Sequence, residues 1–586
     1  MRVLLLALSA AVCVTCTPRL TGAVAAESAP EQPAPSSVSA EVVPAKAEPR
    51  AEDTLGLDLP PPPGDRAAGL FARSLDFRGG EPFVPVKLME GRPEVTFSPR
   101  GRMRLFVPGD PEKWVEAPAG SVWRVRVRGG VPAKVVHHVQ LAEHRFEDRE
   151  GLAAAQRQWS ERGVATRVQT LGALFGIAGK VIDNRRYLLL ADERFDGLAS
   201  AQARLEVLLR AHGGRLLIFE ELGAPPQGSL ELLDAAGSVV AVGDRFLDAE
   251  TRDGEPFDVR GVEHSVGYDN HGFEDRTFRG GLRLAVDRNG RIAVVNLVRL
   301  EDLMKGLVPS EIFASSPREA LKAQAVTARG EVLAKVGTRH LADPFLLCSE
   351  QHCAVYKGLS GEAATTNAAV EETRGQALFD AHGRLVDSVY SAICGGHSED
   401  NESVWGGVAN PSLRGRPDFI EPTGNEPSPR ELSRFLQTEL PSACRMAGRF
   451  SNPARYRWER RFTQAEVDEL TRELNVGTVT AMRVAERGVS GRAKRLVLTG
   501  ERGSREIRGE LVIRRRFRNL NSAMFEVSAE RDPASGAVSH WVFRGGGWGH
   551  GVGLCQTGAI GRAEHGHDFR QILRHYFNGA EVAPIY

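Results

Sequence analysis

Glu311 is the residue best placed for proton transfer. It follows Val308-Pro-Ser310 and precedes Ile312-Phe313, so its carboxyl stands among apolar neighbours. A carboxyl held rigidly and partly dried in this way suits a general acid. The bland alternative is an acidic residue near the positive end of the following helix, worth a few tenths of a kcal/mol. Cys348 and Cys353, with His352 between them, could supply three ligands to zinc. In an oxidising compartment the same two thiols are expected to close a tight disulfide instead. His397, in Cys394-Gly-Gly-His397, could bind substrate, complete a metal site or be held structurally. Six glycines between Gly545 and Gly553 preclude regular helix or strand. They suit a loop pressed against a site, presenting Trp548, His550 and Gln556.

These residues need elements to position them. Leu300, Leu303, Met304 and Leu307 recur at helical spacing, and Pro309 is expected to stop that helix. Ser316-Pro-Arg-Glu319 reads as a capping box opening a second helix, with Pro317 at its first position. Its buried face is mostly small (Ala320, Ala325, Ala328), so another element can approach closely. Glu311 then falls on the short link between two braced helices, while Glu301 and Glu319 read as helix-surface or cap residues. Upstream, residues 281–286 and 291–296 form a hairpin whose turn carries the Asn289-Gly290 signal.

Residues 135–220 contain a duplication. Leu141-Ala-Glu-His-Arg-Phe146 is echoed by Leu190-Ala-Asp-Glu-Arg-Phe195, and Gly151-Leu-Ala-Ala-Ala-Gln156 by Gly197-Leu-Ala-Ser-Ala-Gln202, at offsets of 49 and 46. Each copy reads strand, amphipathic helix, glycine, strand. The first copy gives 135–141, 149–161 and 164–168, and the second 187–191, 198–211 and 215–219. Together they predict a four-stranded sheet backed by two helices, with 169–185 as extra length. Residues 79–130 alternate as strands between Gly/Pro turns and read as a small β-rich module.

Composition sets the compartment. A basic start, an apolar run from Val3 to Cys16 and Ala23-Val-Ala25 make a secretory signal peptide at 1–25. Lipoprotein processing at Cys16 is the rival reading, with a poor lipobox before it. Residues 26–78 are a Pro/Ala-rich disordered tether. No later segment is long and apolar enough to span a membrane. The 75 basic residues balance 75 acidic ones, which argues against a nucleic-acid binder. After cleavage five cysteines remain, and Cys394 with Cys444 is a second candidate disulfide.

The segment 300–329, Leu-Glu-Asp-Leu-Met-Lys-Gly-Leu-Val-Pro-Ser-Glu followed by Glu-Ala-Leu-Lys-Ala-Gln-Ala-Val-Thr-Ala-Arg, resembles the signature of the SpoIID/LytB family (stage II sporulation protein D, amidase enhancer). Gly546-Gly-Trp-Gly-His-Gly-Val-Gly-Leu-Cys-Gln-Thr-Gly-Ala559 resembles that family's second block. The resemblance implies an exported or periplasmic lytic transglycosylase in the cell envelope. It would cut bacterial peptidoglycan, with Glu311 as acid and no cofactor required. It also implies substrate-binding roles for Ser310, Gln324, Tyr356, Trp405, Trp548, His550 and Gln556. Some members are reported to carry a metal at Cys348, His352 and Cys353. Ala354 departs from the family, which usually has Gln there. The rival role is a non-catalytic enhancer that binds glycan and a partner amidase. The duplicated unit is similar to the SPOR domain, a binder of peptide-free glycan strands. The expected fold class is α+β multidomain: a SPOR-like duplicated βαβ module at 131–222, then a SpoIID-type α+β catalytic domain at 255–586.

Overall fold

The computed structural model describes residues 42–44, 68–71, 75–106, 113–177, 180–252, 254–266 and 271–586. The expected signal peptide, Cys16 and most of the tether lie outside the described residues. Two antiparallel sheets organise the segments before residue 300. One runs through Lys113–Ala117, Met103–Phe106, Phe246–Thr251, Gly281–Val286, Ile292–Arg299 and Glu81–Arg92, in that order. The other runs Val239–Asp244, Gln227–Leu233, Trp123–Val131, Glu94–Pro99, Phe257–His264 and Gly272–Phe278. Strands from 79–130 therefore share both sheets with strands from 227–299. This corrects the expectation of a separate β-rich module: Val84, Phe97 and Trp123 share one core with Phe257, Leu303 and Val326. A sequence window shows strand periodicity but not which distant strand completes the sheet.

The duplicated unit folds as its periodicity predicts. Helix α1 (Arg149–Glu161) and helix α2 (Leu198–His212) back a sheet ordered Leu217–Ala224, Lys134–Arg145, Arg186–Ala191, Thr166–Leu171. Val139, Leu141, Leu189 and Ala191 pack against Trp159 and Leu208 of the helices. The three-residue offset between copies is absorbed at the helix start. Asp148 caps α1 three residues before Gly151, through Gly151 N–H at 3.0 Å, whereas Gly197, the counterpart of Gly151, directly precedes α2 with no side-chain cap.

The unit is not free on a tether. The other face of its sheet buries Leu188, Leu190 and Phe219 against Leu341. The extra residues at 169–185 form a hairpin, Leu174–Ile177 with Lys180–Asp183, whose Phe175, Ile177 and Ile182 enter the main core.

Helix α3 (Leu300–Glu311) buries Leu300, Leu303, Met304 and Leu307 as its spacing predicts, and helix α4 (Arg318–Ala334) buries Ala320, Ala325 and Ala328. Three local expectations need correction. Pro309 does not stop α3, because its missing N–H falls in the last turn, where one bond is lost. Ser310 Oγ donates to Gly306 O (3.3 Å) and Ile312 N–H to Val308 O (3.1 Å), closing the turn beyond it. The capping box does not form, since Pro317 occupies the cap and Glu319 instead accepts from Phe569 N–H (2.9 Å). Glu301 is no surface residue: it is buried against Arg329, with Nε–Oε1 at 2.9 Å and Nη2–Oε2 at 2.7 Å. Removing either partner would strand a buried charge, at a cost of about 3–5 kcal/mol.

Residues 457–546 form a second core around Trp458, Phe462, Phe517, Phe525 and Phe543. The glycine-rich loop returns from it to the first core. Tyr390–Ser391 pairs in parallel with Leu554–Cys555, and Ile393 bridges Trp548. Gly547 adopts a φ of +81°, and a Cβ there would lie 2.7 Å from Ile393 O, so only glycine allows this approach.

Candidate functional site

Glu311 ends α3 and keeps some solvent exposure. Its carboxyl nevertheless lies deep among protein atoms, and burial with the nearby charge of Glu331 pushes its pKa up to about 7. Val355 N–H donates to Oε1 (3.4 Å), and the Tyr390 hydroxyl lies within hydrogen-bonding reach of both Glu311 and Glu331. Glu331 is itself paired with Lys335 Nζ at 2.7 Å. The site thus holds one carboxyl that carries its proton near neutrality and a second that is ion-paired.

The glycine-rich loop grips the acid from the other side. Gln556 Nε2 donates to the backbone carbonyl of Glu311 (2.9 Å) and to Gln324 Oε1 (3.3 Å). Gln324 is fully buried, and its Nε2 has no partner. His550 touches neither Glu311 nor an open position. Its Nε2 donates to Tyr390 O (2.8 Å) and its Nδ1 accepts from Val552 N–H (3.1 Å), so the ring is neutral. Burial holds its pKa down to about 3. The geometry gives it a positioning role: His550 fixes the Tyr390 backbone, and Tyr390 reaches Glu311.

Aromatic rings border this constellation. Trp405 stays partly exposed with its ring 4.8 Å from His550, and Arg455 lies 4.5 Å from the ring of Trp548. Phe313, half exposed, packs 6.0 Å from Phe450. Tyr356 is a correction. It is 2% exposed, donates to Asn296 Oδ1 (3.0 Å) and packs 5.9 Å from Phe278, so it is a core residue and offers no stacking face. His397 also reads as structural, with its Nδ1 2.7 Å from Ser398 O. Two surface hollows, one lined by Phe419 and His575 and the other by Met482 and Glu526, do not include Glu311.

The cysteine expectations change most. All five described cysteines are free thiols, so neither Cys348–Cys353 nor Cys394–Cys444 is a disulfide. The local reason is a fourth side chain: His340 joins Cys348, His352 and Cys353, with ligand atoms all within 4.8 Å of one another. His340 Nε2 lies 3.1 Å from Cys353 Sγ, and its Nδ1 lies 3.0 Å from Asp343 Oδ2, an outer carboxylate that fixes the ring. Burial raises the Cys353 thiol, but hydrogen bonding with Cys348 and the charges of Lys335 and Arg339 bring it down to about 7. Two sulfurs and two imidazole nitrogens at this spacing fit a tetrahedral structural zinc.

The sequence reading missed Glu331, Lys335, Tyr390 and His340. The first two were legible: Gln324, Glu331 and Lys335 fall at i, i+7 and i+11, on one face of the helix. Tyr390 and His340 carry no local signal.

The model of the stage II sporulation protein family matches residues 288–379, which carry Glu311, Glu331 and the His340/Cys348/His352/Cys353 group. Bacillus subtilis (strain 168) has an amidase enhancer that is 27% identical over 296 residues, 48% of this chain and 40% of that protein. Stage II sporulation protein D of Bacillus amyloliquefaciens is 26% identical over 311 residues, 49% of this chain and 75% of that protein. Residues 288–379 therefore carry a SpoIID-family domain. Another relative, an uncharacterised protein of Brachyspira hyodysenteriae (strain ATCC 49526 / WA1), is 27% identical over 338 residues, 57% of this chain and 75% of its own length. The SpoIID match is much shorter than the expected 255–586, because residues 399–553 match a different model, a domain of unknown function (DUF8618). That second match holds the aromatic core of 457–546 and the first half of the glycine-rich loop. Among the described residues, no helix is long and apolar enough to cross a membrane.

Proposed function

We propose that this chain is an exported peptidoglycan lytic transglycosylase, with Glu311 as the single acid/base. The observation that carries the reading is a carboxyl with a pKa of about 7, set in the SpoIID signature and held by Gln556 from the second motif. Protonated Glu311 gives its proton to the oxygen between N-acetylmuramic acid and N-acetylglucosamine, and the C1–O bond breaks through an oxocarbenium-like state. The resulting carboxylate takes the proton of the muramic C6 hydroxyl as that oxygen bonds to C1. The products are a 1,6-anhydro end and a new glucosamine 4-hydroxyl, with Glu311 reprotonated and no water consumed. Lys335 and Tyr390 engage Glu331, which suits it to holding Glu311 protonated rather than activating water.

The exposed rings of Trp405 and Phe313 are suited to sugar faces, and the unpartnered Gln324 Nε2 to a substrate acceptor. A zinc held by His340, Cys348, His352 and Cys353 would tie the 340–353 loop to the end of α4, where Lys335 Nζ donates to Cys353 O. No protein step passes through it. Incubating the full chain with peptide-free glycan strands, then seeking anhydro ends by mass spectrometry, tests the proposal. Intact strands, or equal cleavage by Glu311→Gln, would refute it.

The name of the Bacillus subtilis relative favours a second reading, in which the chain binds glycan and activates a cell-wall amidase. Under that reading Glu311→Gln leaves amidase stimulation intact and no anhydro ends form.

A further inference from the structure

Cys555, the residue before Gln556, belongs to a second group that the reaction above does not use. Cys394, Asp418, Cys444 and Cys555 are all buried, and one ligand atom from each lies within 4.8 Å of every other. Cys394 Sγ is 3.8 Å from Cys444 Sγ and 3.2 Å from Asp418 Oδ2. Two sulfurs bound at about 2.3 Å to one tetrahedral zinc stand about 3.8 Å apart, whereas a disulfide needs about 2.05 Å. The separation matches an edge of the metal site.

The surroundings orient these atoms as ligands. Cys555 Sγ accepts N–H groups from Cys394 (3.1 Å) and Gly558 (3.3 Å), as a thiolate would. Asp418 Oδ1 is taken up by Arg562 Nη2 and the Tyr576 hydroxyl, both at 2.9 Å, with His575 Nε2 at 3.3 Å. This leaves Oδ2 for the sulfurs, and the same outer groups offset the negative charge of a thiolate-rich site. Gly558 keeps the space clear, since a Cβ there would stand 2.5 Å from Asp418 Oδ2 and 3.1 Å from Cys555 Sγ. A Cys394–Cys444 disulfide would instead take the Cys394 thiol proton away from Asp418 Oδ2.

We propose that Cys394, Asp418, Cys444 and Cys555 form a second, structural zinc site that pins the glycine-rich loop in place. Thiolate-rich donors favour zinc over magnesium or calcium. The four ligands come from separate segments, so one ion joins residues 391–398, residues 417–419, the 444 turn and the loop carrying His550 and Gln556.

Zinc analysis of the full chain, purified from zinc-supplemented cells without chelator, tests this. The expected content is two zinc per chain, falling to one in Cys555→Ser and to one in Cys348→Ser. The decisive sample is Cys348→Ser, in which the proposed cluster is unaltered, so the result does not depend on a cluster variant folding. No zinc in that protein, or a Cys394–Cys444 disulfide in its non-reduced peptide map, would overturn the site. If only the first site fails, wild type and Cys348→Ser hold the same single zinc, which Cys555→Ser loses.

Discussion

The glycine-rich loop and the duplicated unit both hold the α3–α4 pair, but they act on Glu311 differently. The loop reaches the acid through hydrogen bonds, from Gln556 to the Glu311 carbonyl and from His550 through Tyr390 to the carboxyl. The duplicated unit holds only the far end of α4. Asn184 Nδ2 donates to Ala334 O (3.1 Å) and Val336 O (2.8 Å), and Gly172 N–H to Gly337 O (3.0 Å). These bonds satisfy carbonyls that a helix end leaves open. One contact sets proton affinity, and the other sets stability.

Replacing the acid gives the largest effect expected. Glu311→Gln should lower anhydro-end formation by about a hundredfold or more, because the amide keeps the shape but cannot transfer a proton. In the wild type the acid must be protonated, so kcat/KM should fall with rising pH above about 7. The same carboxyl binds its proton more tightly folded than unfolded. Its burial therefore costs stability above pH 7 and nothing below about pH 4.5. Glu311→Gln should accordingly stabilise the protein at pH 8, by about 1–3 kcal/mol, and not at pH 4. A variant that is fully active and has an unchanged melting curve would remove the loop's special status.

Tyr390→Phe comes next. The lost hydroxyl stabilises the Glu311 carboxylate, so the descending limb of the pH profile should move upward by up to about one unit, with a rate loss of about tenfold. An unshifted profile would show that the loop and Tyr390 serve only as scaffold.

Asn184→Ala should lower unfolding free energy by about 1–3 kcal/mol, through the carbonyls it strands, and leave the pH profile in place. A shifted profile would break the comparison from the other side, by coupling the duplicated unit to the acid. The smallest effect is expected within that unit: Gly197→Asp, at an extended cap position with open space around its Cβ, should stabilise α2 by a few tenths of a kcal/mol.

The docking also bears on glycan binding by the duplicated unit. Its helix-free face is partly covered by Leu341, and Arg288 pairs with Glu220 of its edge strand at 2.7 Å, so removing residues 135–220 would expose the main core. A glycan-binding role is better tested on the intact chain than by deletion.

Short-range patterns determined a good deal here. The 3.6-residue and two-residue periods, the repeated hexapeptides and the Asn289-Gly290 turn marked α3, α4, the hairpin and both copies of the duplicated unit. Apart from the repeat, whose copies lie 46–49 residues apart, each of these signals lies within about one helix length, where local burial decides the backbone. The Pro309-Ser-Glu311 segment and the glycine-rich block likewise singled out Glu311 and Gln556. Tertiary structure decided which distant groups meet. It placed Tyr390 and Glu331 at the acid and His340 beside the Cys348 and Cys353 thiols. It also brought Asp418 beside three cysteines and put Tyr356 in the core. A sequence reports whether a side chain prefers burial. The charge that shifts a pKa, and the donors that can surround a metal, depend on contacts between residues far apart in the chain, which form only when the cores close.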